Sequence, residues 1–224
     1  MKKILLSIVF FFLFTSISNA GPCLTTIASA STNQLACADD DILNVTSAGS
    51  ITYNDHKAVD LEDETGVQIT NDGTIETEDG TNKQKAIHAE SSLNTTITNN
   101  GTIKSDNNEG IYIDYAENIT ITNNAGATIS AEAGNAIEGK NVGWCDKAGN
   151  NENCQSSLSS SGSTEVGLIL HNHGMISATQ GTILLGTGGG GNPRSRGVKI
   201  YNYDGGTIKS TSGNNPIIAK YLTD

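Results

Sequence analysis

The sequence predicts an all-β chain, folded as a β-solenoid of about six three-stranded coils. Three observations predict it. A segment of nine to eleven residues recurs six times, its apolar positions alternate with period two and end on isoleucine, and the first four copies stand 24 to 28 residues apart.

The copies are LNVTSAGSI (43–51), VQITNDGTI (67–75), TTITNNGTI (95–103), ITITNNAGATI (119–129), LILHNHGMI (168–176) and VKIYNYDGGTI (198–208). Leu43, Val67, Thr95, Ile119, Leu168 and Val198 form the first column, and Val45, Ile69, Ile97, Ile121, Leu170 and Ile200 the second. Ser47 then heads a column of Asn71, Asn99, Asn123, Asn172 and Asn202, followed by a column of glycines. The last column is Ile51, Ile75, Ile103, Ile129, Ile176 and Ile208. Side chains alternate across a strand, so these apolar columns face one way and Thr46, Thr70, Thr98, Thr122, His171 and Tyr201 the other. Asn and Gly, which tolerate positive φ, are expected to bend the chain before isoleucine begins a second strand. A third apolar pair follows in each copy: Ala58-Val59, Ala86-Ile87, Gly110-Ile111, Ala136-Ile137, Thr182-Ile183 and Pro216-Ile217. A hairpin meander would reverse every 8–12 residues, and a leucine-rich repeat would need its leucine pattern, which is missing. Coils stacked at the usual strand spacing of about 4.8 Å would turn each column into a ladder, of isoleucine inside and of amides at the bend. One coil cannot bury its apolar face alone, but a stack can.

The segments outside the repeats take their reading in chain order. Lys2 and Lys3, an apolar stretch from Ile4 to Phe14 and the small-x-small end Ser18-Asn19-Ala20 predict a secretory signal peptide over 1–20. The stretch is shorter than the roughly 20 residues of a membrane span. Pro22 before Cys23 argues against a lipoprotein. Residues 21–42 are expected to cap the stack, pinned by a Cys23–Cys37 disulfide. An even cysteine count in an exported chain favours disulfides, and the second local pair is Cys145–Cys154. Neither pair has zinc-finger spacing. Between Asn123 and Asn172 lie about 25 residues too many for one coil. An insertion at about 139–166, closed by Cys145–Cys154 and carrying the single Trp144, should project from the shaft, and such loops often carry binding. A second irregular stretch, GTGGGGNPRSRG (186–197), holds Arg194 and Arg196, the only arginines. It lacks the Lys and the helix of a phosphate loop. Trp144, Arg194 and Arg196 are therefore the candidate ligand contacts.

The repeat I-x-N-x-G-T-I, followed by a small residue and Ile, resembles the passenger domains of bacterial autotransporters, the type V secretion proteins. The resemblance covers roughly residues 43–220. It implies a parallel β-helix displayed on, or released from, the outer membrane, acting as an adhesin or stalk. Such proteins normally end in a membrane-embedded translocator barrel. This sequence ends at Thr223-Asp224 instead, so the expectation is a fragment of a longer autotransporter, touching membrane only through that barrel.

Charge narrows the partners. The formal charge is −11 at pH 7, and losing Lys2 and Lys3 but no acid moves it to −13. Such a chain has no electrostatic reason to bind nucleic acid. Host or environmental glycans or surface proteins are the expected partners, with no cofactor and no metal. His171 and His173 lie on one strand face, but no third ligand is at a readable spacing. The acidic runs Asp39–Asp41 and Asp60–Glu64 match no calcium-loop pattern and read as solvated turns. The alternative function is a polysaccharide lyase or hydrolase, with Asp114 and Glu117, or Glu76 and Glu78, as candidate acids. An outer face gathering carboxylates and aromatics would favour that enzyme. A Thr/Asn-covered shaft with a protruding loop would favour adhesion.

Overall fold

A computed structural model describes residues 21–78, 84–143, 166–186 and 195–219. The expected signal peptide lies outside the described residues, as do Trp144, Cys145, Cys154 and Arg194. β1 (Gly21–Pro22) leads into a first coil of β2 (Thr25–Ile27), β3 (Ala30–Ser31) and β4 (Leu35–Ala36). The second coil is β5 (Ile42–Val45), β6 (Ser50–Tyr53) and β7 (Lys57–Asp60), and the third β8 (Gln68–Asn71), β9 (Thr74–Thr77) and β10 (Lys85–Glu90). Then come β11 (Thr96–Asn99), β12 (Thr102–Ser105) and β13 (Ile111–Asp114), followed by β14 (Ile119–Asn123), β15 (Thr128–Ala131) and β16 (Ile137–Lys140). The sixth coil is β17 (Leu168–Asn172), β18 (Met175–Ala178) and β19 (Ile183–Leu185), and the seventh β20 (Val198–Asn202), β21 (Thr207–Ser210) and β22 (Ile217–Ala219).

Every third strand pairs, always in parallel. β1-β4-β7-β10-β13-β16-β19-β22 form one sheet, β2-β5-β8-β11-β14-β17-β20 the second, and β3-β6-β9-β12-β15-β18-β21 the third. The chain is therefore a parallel β-helix. Ile51, Ile75, Ile103, Ile129 and Ile176 stack in register, fully buried, on the third sheet. Val59, Ile87, Ile111, Ile137 and Ile183 do the same on the first. β-branched side chains suit these narrow ladders because they keep one χ1 rotamer on a pleated strand.

The bend carries the amide ladder. Asn71 Nδ2 donates to Asn99 Oδ1 (2.8 Å), Asn99 to Asn123 (2.9 Å), Asn123 to Asn172 (2.8 Å) and Asn172 to Asn202 (2.7 Å). Each of these amides also donates to a strand carbonyl of the next coil, such as Asn99 Nδ2 to Thr128 O at 3.0 Å. The buried amides are thereby satisfied within the interior, except for Oδ1 of Asn71 at the head of the row.

Four expectations need correction. The described residues form seven coils rather than about six, because residues 21–41, expected as a cap, themselves form the first. That coil lacks the Asn-Gly signature, so only its apolar Ile27 and Leu35 betray it. The first strand of the first copy is also displaced by two residues, though its Ile51 keeps register with Ile75: Leu43 pairs with Ile69 and Val45 with Asn71, so Val45, not Ser47, stands in the asparagine column. A two-residue shift preserves the face in a strand, so hydrophobic alternation cannot detect it. The glycine column is not one of positive φ. A Cβ on Gly73 would lie 2.1 Å from the carbonyl oxygen of Gly49, so close approach of the preceding coil excludes a side chain there. At this bend positive φ falls only on Gly126 and Gly205, just before the column in the two longer copies; elsewhere it falls at other corners, on Asp40, Asn94 and Asn118 and on Asp63, Ser91, Tyr115 and Asn141. Finally, the insertion begins later than 139. β16 runs to Lys140, and Gly143 still donates its amide to Ala116 O on the preceding coil.

Candidate functional site

The outer face of the first sheet collects the charge. Asp60, His88, Tyr112 and Glu138 stand in register on β7, β10, β13 and β16, with Glu90, Asp114 and Lys140 in the adjacent outward column. At one end Lys57 Nζ meets Asp60 (3.0 Å) and Glu62 (2.9 Å). His88 lies between two carboxylates, Nδ1 at 2.9 Å from Asp60 Oδ1 and Nε2 at 3.3 Å from Glu90 Oε2. Its ring stacks on Tyr112 with centroids 5.4 Å apart. Lys85 and Lys140 sit 4.5 and 4.8 Å from the centre of the same tyrosine ring, as cation–π contacts require. Tyr112 donates to Asp114 Oδ2 (3.0 Å), and Asn141 donates to Asp114 Oδ1 (2.9 Å).

Glu138 and Glu109 shift one another in opposite directions. Glu138 pairs with Lys140 at 2.8 Å and accepts from Asn135 at 2.8 Å. Burial alone would raise its carboxyl, but Lys140, Glu109 and Asn135 outweigh this and hold it below the usual range. Glu109 is pushed up to about 8, first by burial and then by the Glu138 charge. Its Oε2 is buried and finds no donor among the described residues. A proton held by Glu109 and offered to Glu138 satisfies both groups, as in other carboxyl pairs that cannot both ionise. Burial likewise raises Asp114 despite its two donors, and raises the Tyr112 hydroxyl. For Asp60 burial is again the largest influence, yet His88 and Lys57 prevail and lower its pKa.

The sequence-derived acids fare unequally. Asp114 belongs to this face, whereas Glu76 accepts from Thr52 Oγ1 (2.9 Å) on the third sheet. Asp39 and Asp41 accept backbone amides, from Thr65 (2.7 Å) and Ala38 (2.9 Å), which is the work of turn acids. Glu64 is raised to about 7 by burial and the nearby Asp39. His171 and His173 stack on tyrosines, His173 at 4.1 Å from Tyr203 and His171 at 5.2 Å from Tyr201. Among the described residues one group brings three metal-ligating side chains together: Asp60, Glu62 and His88. His88, Tyr112, Glu109 and Glu138 were missed in sequence. The available signal was the coil period, which puts position 88 one coil beyond 60.

A second feature lies at the corner between the first and second sheets. Gly143 is the last described residue before residues 144–165, and Val166, the next described one, accepts from Asn118 N (2.7 Å). Gly167 lies so close to Gly143 that a Cβ there would be 2.9 Å from the Gly143 nitrogen. One coil further on, Gly186 and Ser195 flank residues 187–194 in the same way. Arg196, a candidate contact, is half-buried, and its Nε donates to Gly143 O at 2.7 Å. The described residues that flank both segments therefore share one corner of consecutive coils, where this arginine bonds back to Gly143. At the other end of the shaft, Cys23 and Cys37 form the expected disulfide. No family model, curated protein or solved structure matches the chain at a significant level.

Proposed function

We propose that the chain is an exported β-helical protein of the autotransporter-passenger kind, in which a stiff shaft presents binding segments at the cell surface or outside the cell. The observation that carries this reading is the shared corner, where Gly143 and Gly186, the last described residues before 144–165 and 187–194, stand on neighbouring coils and Arg196 bonds back to Gly143. A shaft whose described strands pair coil to coil along three sheets is a rigid platform, and binding residues are commonly placed on segments that such platforms hold. The partners fitting this reading are host or environmental glycans or surface proteins, met through Trp144, Arg194 and the residues between. The Cys23–Cys37 disulfide supports an oxidising compartment, in keeping with the signal peptide read from residues 1–20.

The test is binding of the purified chain to cell surfaces and to a glycan panel. It is compared with a variant in which both segments are replaced by short Gly-Ser links between their adjacent ends. Adhesion should be lost while the far-ultraviolet spectrum stays that of a β-helix. Binding that survives both replacements would sink the proposal.

A second reading, a carbohydrate-active enzyme, is favoured by the Glu109–Glu138 pair beside Tyr112 and Lys85. One carboxyl kept protonated near neutrality and one ionised are the two groups that cleavage of a glycoside uses, and a bound sugar would have to part them to the roughly 5 Å or more that such pairs span. Release of reducing or unsaturated ends from acidic polysaccharides, abolished by Glu138→Gln, is the expected sign of it.

A further inference from the structure

The Lys57 end of the charged face has a use that neither reading requires. We propose that Asp60, Glu62 and His88 form a binding site for a divalent transition metal of the zinc type, with Lys57 as the resident cation that the metal displaces. One ligand atom from each of the three lies within 4.8 Å of the others. Ligands bonded to one zinc at about 2.0–2.2 Å stand roughly 3–3.5 Å apart. Asp60 Oδ1 and His88 Nδ1, already at 2.9 Å across paired strands, need hardly move.

Two features besides the carboxylates point to a metal. First, the set already gathers a positive charge, the Lys57 ammonium, within 3.0 Å of Asp60 and 2.9 Å of Glu62. That ammonium sits on a flexible stem whose end can swing to solvent. Second, His88 is prepared as a ligand. It is rigid, buried and stacked on Tyr112, and the Glu90 carboxylate faces its Nε2. A carboxylate on the far nitrogen of a ligating imidazole fixes the tautomer and aims the other nitrogen at the metal. An imidazole with two carboxylates selects zinc, copper or nickel over calcium or magnesium, which take oxygen ligands. Three protein ligands leave one position for water.

Zinc titration of the full chain by calorimetry tests this. One saturable site is expected, insensitive to excess calcium and unchanged by the double substitution His171→Ala, His173→Ala. Lys57→Met should tighten binding about tenfold by removing the competitor, and Asp60→Asn or Glu62→Gln should weaken it by about tenfold or more. Because His88 is buried, His88→Ala can fail to fold. The better-exposed Glu62→Gln, checked for an unchanged β-helix spectrum, is therefore the decisive variant. Absence of saturable zinc binding, or zinc affinity unaltered by Glu62→Gln, overturns the site. An unaltered affinity in Lys57→Met overturns the displacement. The outcome is independent of adhesion, which is read from coils further along the shaft.

Discussion

At the scale of single residues, Glu109 has the clearest consequence. Its folded-state pKa of about 8 lies above the ordinary carboxyl value of 4.5. Between those two pH values the unfolded chain releases a proton that the folded chain keeps. The unfolded state is thus favoured increasingly as pH rises, and stability from this group falls over that window. The thermal midpoint should therefore drop between about pH 5 and about pH 9, and drop less in Glu109→Gln, which carries a neutral group throughout. An equal drop in both proteins would place the effect elsewhere. How far such residues can be read from sequence depends on whether a column repeats its residue type. Asn71, Asn99, Asn123, Asn172 and Asn202 announce themselves because they are identical. Asp60, His88, Tyr112 and Glu138 occupy an equally strict column, yet no two are alike, so identity gave no sign of it. Their meaning is in the pairing, which appears only when the coils are stacked.

At the scale of elements, the strand order and the third sheet's isoleucine ladder were legible because period two and a coil length of 24–28 residues both left marks. The first coil was not. Its β2 to β4 carry no Asn-Gly bend, and Val45 replaces asparagine without changing which face is buried. The substitution has a physical trace: Asn71 Oδ1 is buried without a partner, because a valine stands where the preceding amide would donate. Inside the ladder, Asn99 accepts from Asn71 and donates to Asn123 and Thr128 O, whereas Asn202, on the last described coil, is exposed. Asn99→Ala should then orphan groups on both neighbouring coils, at about 1–3 kcal/mol for each buried one. Asn202→Ala should cost clearly less. Urea unfolding of the two variants measures the difference, and equal losses would refute a role for the buried ladder.

For the whole molecule, the relevant unit is the coil rather than the residue. Each coil touches only its neighbours, so stability accumulates by stacking. Asn99 and Asn123 are 24 residues apart in chain and adjacent in space. Removing residues 100–123 therefore deletes one whole coil and brings Asn99 against Asn172. That variant should fold, with a β-helix spectrum and a cooperative though lower melting transition. Removing only residues 100–111 puts second-sheet strands against the wrong neighbours and should abolish the transition. The end coil shows the same logic in reverse. Val198, Ile200 and Ile208 continue fully buried columns yet are only partly buried, since no described coil covers their far side.

The asparagine ladder also has a direction. Every amide in it gives its proton to the following coil and none to the preceding one, and the second bond to a strand carbonyl pins that orientation. Turning one amide over would set nitrogen against nitrogen on one side and oxygen against oxygen on the other. The amides can thus reverse only as a row, and their aligned dipoles make the shaft electrically polar along its axis, its two ends unlike even where their strands look the same.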